Sequence, residues 1–193
     1  MVNALDPDRP LRSDARRNRD KILSAAVRVF AERGLEANLD QIAKEAGVGA
    51  GTLYRNFPTR EALVEAAYRN ELARLCDAAP VLLATMTPRA AIRAWMGLYI
   101  DYACAKHGMA DALRAVVDTG RNPCERSREM MLASLSSLLA AGVADGGVRA
   151  DVRADDLLAC VVGVALATRA PEQRPQAERL LDLAMDGLRP RNG

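Results

Sequence analysis

Apolar residues recur along this chain with the three- to four-residue spacing of α-helices, and no stretch alternates with the two-residue period of a strand. Glycines and prolines divide the pattern into segments of helical length. Alanine, leucine and valine supply most of the apolar mass and aromatic residues only 4% of the chain, a balance that favours helices over sheets. We therefore predict an all-α fold with about nine helices.

The positions of caps and breakers predict a tail followed by two domains. The tail contains two prolines and no periodicity, so we expect it to be disordered and basic. Ser13 can cap a first helix that ends at Arg33, before Gly34, and two short helices follow it. The predicted parts are the tail, a three-helix domain and a larger helical domain: residues 1–12, 13–59 and 60–193.

Prolines and caps also divide the larger domain into helices. Thr59 is a natural N-cap for a helix from Arg60 to about Cys76, and we expect Pro80 and Pro88 to bracket a loop with at most a short helical piece. The remaining predicted helices span 88–106, 110–118, 124–141, 154–169 and 173–188.

Residues 38–57, NLDQIAKEAGVGAGTLYRNF, combine two short helices with a glycine turn. Asn38 is a suitable N-cap for the first helix, and Gly47 suits the left-handed conformation that ends a helix. The second helix, from about Ala50 to Phe57, opens with small residues, turns Leu53 inward and then carries hydrogen-bonding side chains. Small residues that let a helix enter the major groove, followed by donors, predict a helix-turn-helix that reads DNA.

A basic segment precedes this motif and extends the predicted DNA-binding surface. Residues 1–60 hold 11 Lys/Arg and 8 Asp/Glu, a net charge of +3, in a chain whose total is +2. A basic arm suits phosphate contact and counterion release, although a solvated tail is the alternative. The residues expected to contact DNA are Arg16, Arg17, Asn38, Lys44, Gly49, Ala50, Gly51, Thr52, Tyr54, Arg55, Asn56 and Arg60.

The motif also resembles a known family. The run Ile42-Ala43-x-x-Ala46-Gly47-Val48-x-x-Gly51-Thr52-Leu53-Tyr54-x-x-Phe57-Pro58 is similar to the DNA-binding domain of the tetracycline-repressor (TetR) family, as is Ile22-Leu23-x-Ala25-Ala26-x-x-Val29-Phe30. The resemblance covers about residues 15–69 and implies a dimer with an inducer site in its second domain. The family usually has a lysine that contacts a phosphate where this chain has Arg60. Arginine keeps the charge, so we expect that role to survive.

The last two predicted helices suit a dimer interface. One short recognition helix reads too few base pairs for useful specificity, and doubling it on a palindrome overcomes this limit. Two antiparallel helices and their symmetry mates would form a four-helix bundle, whereas a monomeric core is the alternative. The expected interface residues are Leu157, Leu158, Val161, Val162, Ala165, Leu180, Leu181, Ala184, Met185 and Leu188.

The middle helices collect aromatic, methionine and histidine residues that suit an adaptable apolar pocket. The residues expected to line it are Trp95, Met96, Tyr99, Tyr102, His107, Met109, Met130 and Met131. Ordinary core packing is the alternative, since Trp95 and Tyr99 at an i, i+4 spacing are typical of a core helix.

Composition narrows the class of protein further. The most apolar stretch, 157–168, is too short to span a bilayer, and the N-terminus lacks the apolar segment of a signal peptide, so we expect a cytoplasmic protein. Four cysteines without CxxC spacing and a single histidine argue against a metal or redox site, and we expect no cofactor.

These features favour a homodimeric regulator, most readily a repressor, that binds a palindromic operator and is released by a small, largely apolar effector. An enzyme is the first alternative, but the chain has no glycine-rich phosphate loop after a strand and no plausible Ser/His/Asp set. A helical protein-binding adaptor with a vestigial helix-turn-helix is the second, and the intact GTLYRNF surface argues against it.

Overall fold

The computed structural model describes residues 8–190, which form nine α-helices joined by short turns and contain no strand. The all-α prediction is therefore confirmed. The helices are α1 (Asp8–Arg33), α2 (Leu39–Ala46), α3 (Ala50–Asn56), α4 (Arg60–Thr85), α5 (Pro88–Gly108), α6 (Ala110–Asp118), α7 (Ser127–Ala144), α8 (Ala154–Ala167) and α9 (Arg174–Gly187). Two short 3₁₀ turns, Gly34–Glu36 and Pro171–Gln173, lie between them.

Helix α1 begins at Asp8, upstream of the predicted cap at Ser13. Pro10 lies in its first turn, where a missing N–H leaves no hydrogen bond unmade, so the proline does not prevent the helix from extending. The remainder of the predicted tail, residues 1–7, lies outside the described residues.

Helix α4 continues through Pro80, so the predicted break after Cys76 is wrong. A proline removes the donor to the carbonyl four residues earlier, here that of Cys76. The Ser134 hydroxyl lies 3.4 Å from this carbonyl and can donate to it, while the adjacent Leu75 carbonyl accepts the Trp95 indole N–H at 3.0 Å. The same hydroxyl lies 3.2 Å from the Met130 carbonyl of its own helix, so the Cys76 carbonyl shares this donor.

The chain divides into two compact units by its contacts. Unit 1 comprises the chain up to Asn70 together with His107–Pro123, and unit 2 comprises Glu71–Lys106 and the chain from Cys124 onward. Unit 1 therefore includes the beginning of α4 and all of α6, whereas the predicted boundary at residue 60 follows the end of the helix-turn-helix.

Unit 1 is built around α1, which packs on α2 and α3. Helix α6 packs on the turn Gly34–Glu36. A Cβ added to Gly108 would lie 2.8 Å from the Cα atom of Ala31, so the segment leading into α6 lies directly on the end of α1. The largest side chains that are fully buried in this unit are Ile22, Phe30, Ile42, Leu53, Leu63, Tyr68 and Met109.

Unit 2 is a helical bundle in which α7 packs on α8 and α8 packs on α9. Ion pairs also join α5 to α9: Arg93 contacts Asp182 and Glu178, each at 2.6 Å, and Glu178 also pairs with Arg174 at 2.6 Å. The Arg93 guanidinium, assisted by Arg174, lowers the pKa of the Glu178 carboxyl below its usual value. Within residues 8–190, no helix combines the length and apolarity required to cross a bilayer.

Candidate nucleic-acid interface

One apolar side chain anchors helix α3, and the polar side chains of the helix face outward. Leu53 is fully buried, whereas Tyr54 retains 44% exposure and Arg55 is exposed. Thr52 and Asn56 are half-buried. A short helix with a single inward anchor thus presents Tyr54 and Arg55 to a molecule that approaches this face.

Hydrogen bonds within α3 fix the side chains beside Tyr54. The Arg55 Nη2 group donates to Thr52 Oγ1 at 3.3 Å, and the Asn56 amide nitrogen donates to the Thr52 carbonyl at 2.8 Å. The Asn56 amide therefore helps to end the helix. Arg55 keeps the rest of its five N–H donors for an external acceptor.

The turn between α2 and α3 has the conformation that the sequence predicts. Gly47 adopts φ 67° and ψ 34°, in the left-handed region, and the Val48 N–H returns to the Ala43 carbonyl at 3.0 Å. Asn38 Oδ1 accepts the Asp40 N–H at 2.9 Å, which confirms the predicted N-cap. Local hydrogen bonds at both ends of α2 therefore fix the path of the chain into α3.

Two glycines at the start of α3 are not required by the fold. Gly49 has φ −69°, an ordinary value for any residue, and Gly51 lies inside the helix without a positive φ. A Cβ added to either glycine meets no atom within 4 Å in the described part of the chain. Glycine at these positions instead leaves room for an external surface to approach the backbone closely.

Other basic residues predicted to contact DNA lie on α1 and α2. Arg16, Arg17 and Lys44 are exposed. Arg17 forms an ion pair with Asp14, but an exposed pair of this kind contributes little energy and can exchange for a phosphate. Arg19 has a different role, because its guanidinium carbon lies 4.7 Å from the centre of the buried Phe57 ring.

Arg60 turns toward the protein. Its Nη2 group donates to the Gly34 carbonyl at 2.8 Å, and its Nη1 group donates to the Ala37 carbonyl. The guanidinium carbon also lies 5.0 Å from the centre of the Phe30 ring. Sequence reasoning missed these contacts, which join residues 23 and 26 positions apart. The predicted cap beside Arg60 is confirmed, since Thr59 Oγ1 accepts the Ala62 N–H at 3.1 Å.

The residues predicted to line an effector pocket fall into both units. Those in unit 1 are His107, which is exposed, and Met109, which is fully buried. Those in unit 2 are Trp95, Met96, Tyr99, Tyr102 and Met131, all buried, and Met130, which is exposed. The predicted set therefore divides between the two units, and its lining of an effector pocket stays a prediction.

An aromatic row on α5 forms the part of that set with defined geometry. The ring centres of Trp95 and Tyr99 are 6.1 Å apart, and those of Tyr99 and Tyr102 are 5.8 Å apart. Burial raises the pKa of the Tyr99 phenol, and its hydroxyl has no hydrogen-bond partner among the described residues. The Trp95 indole N–H already donates to the Leu75 carbonyl of α4, as the core-packing alternative implies.

Most residues predicted for a dimer interface fill the core of the protomer. The buried members are Leu157, Leu158, Val161, Leu181, Met185 and Leu188, and the half-buried members are Val162, Ala165, Leu180 and Ala184. The exposed positions of α8 and α9, here called their outward face, include the small and apolar residues Ala159, Cys160, Gly163, Leu166, Ala167, Leu183 and Gly187, together with charged residues of α9 such as Arg179, Asp182 and Asp186. Leu166 and Leu183 are 57% and 67% exposed on this outward face.

A helical chain whose first unit presents a helix-turn-helix belongs to the class of DNA-binding regulators. Residues 22–67 match the family model of bacterial regulatory proteins of the tetR family, and residues 87–190 match that of the C-terminal domain of SbtR-like transcriptional regulators. The chain belongs to the TetR family of transcriptional regulators.

Solved structures agree over almost the whole chain. The TetR transcriptional regulator SCO0520 from Streptomyces coelicolor is 62% identical, with a TM-score of 0.87 over 89% of this chain and 98% of that chain. A TetR transcription regulatory protein from Mycobacterium vanbaalenii is 38% identical, with a TM-score of 0.76 over 94% and 100% of the two chains.

The curated relatives match a shorter part of the chain. An HTH-type transcriptional regulator from Staphylococcus aureus strain USA300 is 44% identical over 54 residues, which are 28% of this chain and 29% of that protein. The chain thus aligns with less than a third of the length of these relatives.

Proposed function

We propose that this protein is a homodimeric transcriptional repressor that binds a palindromic operator through α3 and is released by a small, largely apolar effector. The observation that carries this proposal is the face of α3, which exposes Tyr54 and Arg55 beside two glycines that the fold does not require. Such a face suits close approach to the major groove followed by contacts to bases and phosphates.

The remaining DNA contacts would surround this face. Arg16 and Arg17 on α1 and Lys44 on α2 are exposed cations suited to phosphates. The N-terminal end of α3, which consists of small residues, would lie nearest to the duplex. Thr52 and Asn56 would contact DNA through the hydrogen-bonding capacity of their side chains that is not used within α3. Several phosphate contacts predict an affinity that falls steeply with salt.

A homodimer would follow from the outward face of α8 and α9. A face of small residues lets two helices approach closely, and Leu166 and Leu183 offer apolar area that a partner would cover. A second copy is the partner that suits a DNA reader, because it doubles the recognition helix with a fixed half-site spacing.

The effector site would include the aromatic row on α5. Trp95, Tyr99 and Tyr102 offer apolar ring surface, and the Tyr99 hydroxyl would give the effector one hydrogen bond. Titration of amphipathic small molecules against the fluorescence of Trp95, the only tryptophan of the chain, would test this assignment. We expect binding compounds to change the emission, and a binder that releases DNA without any change would contradict it.

The main experiment selects bound sequences from random DNA and then measures the affinity of variants for the selected site. Tyr54→Ala and Arg55→Gln should each weaken binding at least about thirtyfold, since removing one such interaction with DNA costs about 1–3 kcal/mol and each substitution removes it from both protomers. The matched control is Arg114→Gln, another exposed arginine of unit 1, on α6, which should leave affinity unchanged. Unchanged affinity in both α3 variants, with helical content intact, would refute the assignment.

A further inference from the structure

Arg60 is the first residue of α4, and its guanidinium ends on the backbone between α1 and α2. One acceptor is the carbonyl of Gly34, which opens the 3₁₀ turn after α1. The other is the carbonyl of Ala37, the residue immediately before the N-cap Asn38. One side chain therefore holds both ends of the connection from α1 to α2.

The chemistry of the guanidinium suits this position. The Gly34 carbonyl accepts only a long hydrogen bond from the Ala37 N–H, at 3.4 Å, and a planar group with five N–H donors can donate to the Gly34 and Ala37 carbonyls at once. The face of the buried Phe30 ring, 5.0 Å from the guanidinium carbon, adds a cation–π contact. The two carbonyls and the ring together fix the rotamer of a long side chain that would otherwise be mobile.

We propose that Arg60 is a positioning residue for DNA recognition, which sets the orientation of the helix-turn-helix by holding the α1–α2 connection and contacts no phosphate. The inference rests on the proposed function. The position of Ala37 determines the position of α2, and through it that of α3. Hydrogen bonds fix both connections, at the N-cap Asn38 and at the Gly47 turn.

This role can be separated from a phosphate contact by substitution with lysine. Lysine keeps the positive charge, so it would preserve a phosphate contact. Its ammonium is a single point donor, however, and cannot reproduce a planar fork across two carbonyls above a ring. Arg60→Lys is therefore expected to weaken DNA binding although the charge is unchanged.

The experiment measures affinity for the selected operator over a range of salt concentrations, with full-length wild type, Arg60→Lys, Arg60→Gln and a Lys44→Gln control. We expect both Arg60 variants to bind about tenfold more weakly or worse. Their slope of log K against log salt should equal that of wild type. The control, which removes an exposed cation of α2, should lower the magnitude of the slope by about 0.9 for each phosphate that is no longer neutralised.

Hydrogen exchange on the protein alone provides a second readout. The hydrogen-bonded amides of residues 37–42, those of Ala37, Asp40 and Ile42, should exchange faster in both Arg60 variants. Those of α8 in unit 2 should exchange as in wild type, which would exclude general unfolding. If the amides of residues 37–42 exchange at the wild-type rate in both variants, the proposal is wrong, whatever the DNA-binding experiment shows.

The salt experiment can also overturn it. Wild-type affinity of Arg60→Lys together with a reduced slope for Arg60→Gln would show that Arg60 contacts a phosphate. If wild type itself selects no DNA sequence, the proposed function fails, and the exchange measurement still decides whether Arg60 holds the α1–α2 connection.

Discussion

Replacing Leu183 by glutamate tests whether the outward face of α8 and α9 is a dimer interface. Leu183 lies on α9 and retains 67% of its surface in the protomer, so the substitution removes little packing within one chain. In a two-fold dimer both copies of the residue are affected, because the same surface patch contributes from each side.

The exposed fraction of the side chain sets the size of the effect. Burying a whole leucine side chain stabilises by about 1.5–3 kcal/mol, so a partner that covers the exposed two thirds gains about 1–2 kcal/mol per copy. Two copies give about 2–4 kcal/mol, which raises the dissociation constant of the dimer by a factor of about 30 to 1,000. Two carboxylates brought near the same axis would add like-charge repulsion.

Sedimentation equilibrium across a dilution series gives the dissociation constant directly. The matched control is Val81→Glu on α4, at a position with 61% exposure, which should leave the constant unchanged. Circular dichroism at the same concentrations checks that both variants remain helical. If the Leu183→Glu dimer has the same dissociation constant as the wild-type dimer, an interface through this face is refuted. If the wild-type protein remains monomeric, the dimer itself is refuted.

Two further substitutions separate stability from function. Gly51→Ala should raise the free energy of unfolding by up to about 1 kcal/mol, because alanine is the better helix former, yet weaken operator binding through its added Cβ. The control is Gly97→Ala on α5, where the added Cβ would meet the ends of the Arg93 and Arg174 side chains at 3.8 and 4.0 Å. If both variants bind the operator with equal affinity, the close approach of DNA to α3 is contradicted. Glu178→Gln should lower the melting temperature at pH 7, and the difference from wild type should vanish as the pH falls through the lowered pKa of Glu178, since the ionised carboxyl holds Arg93 only above it. A difference that persists in strong acid would show that the ion pairs are not its cause.

Features that depend on neighbouring residues could be predicted from the sequence. The N-cap at Asn38, the left-handed Gly47 and the cap at Thr59 each involve groups within five residues along the chain, so composition and spacing were enough. The inward anchor Leu53 followed from helical periodicity for the same reason.

Features that depend on distant residues could not be predicted in this way. The side chains that contact α4 close to Pro80 come from α5 and α7, and the direction of Arg60 depends on carbonyls of the α1–α2 connection. Periodicity identified α8 and α9 as apolar helices but did not show which stripe the protomer itself would bury. The small residues Ala159, Gly163 and Ala167, spaced four apart, were the available signal for the outward face.

Helix α4 connects the proposed input and output within one continuous element. Its first residue, Arg60, holds the connection that leads into α2, while its Leu75 carbonyl accepts a hydrogen bond from Trp95 in the aromatic row. Leu75 lies one turn before Pro80, where the helix already lacks a backbone donor and is easiest to bend. An effector that displaces Trp95 would therefore remove a hydrogen bond to α4 close to Pro80.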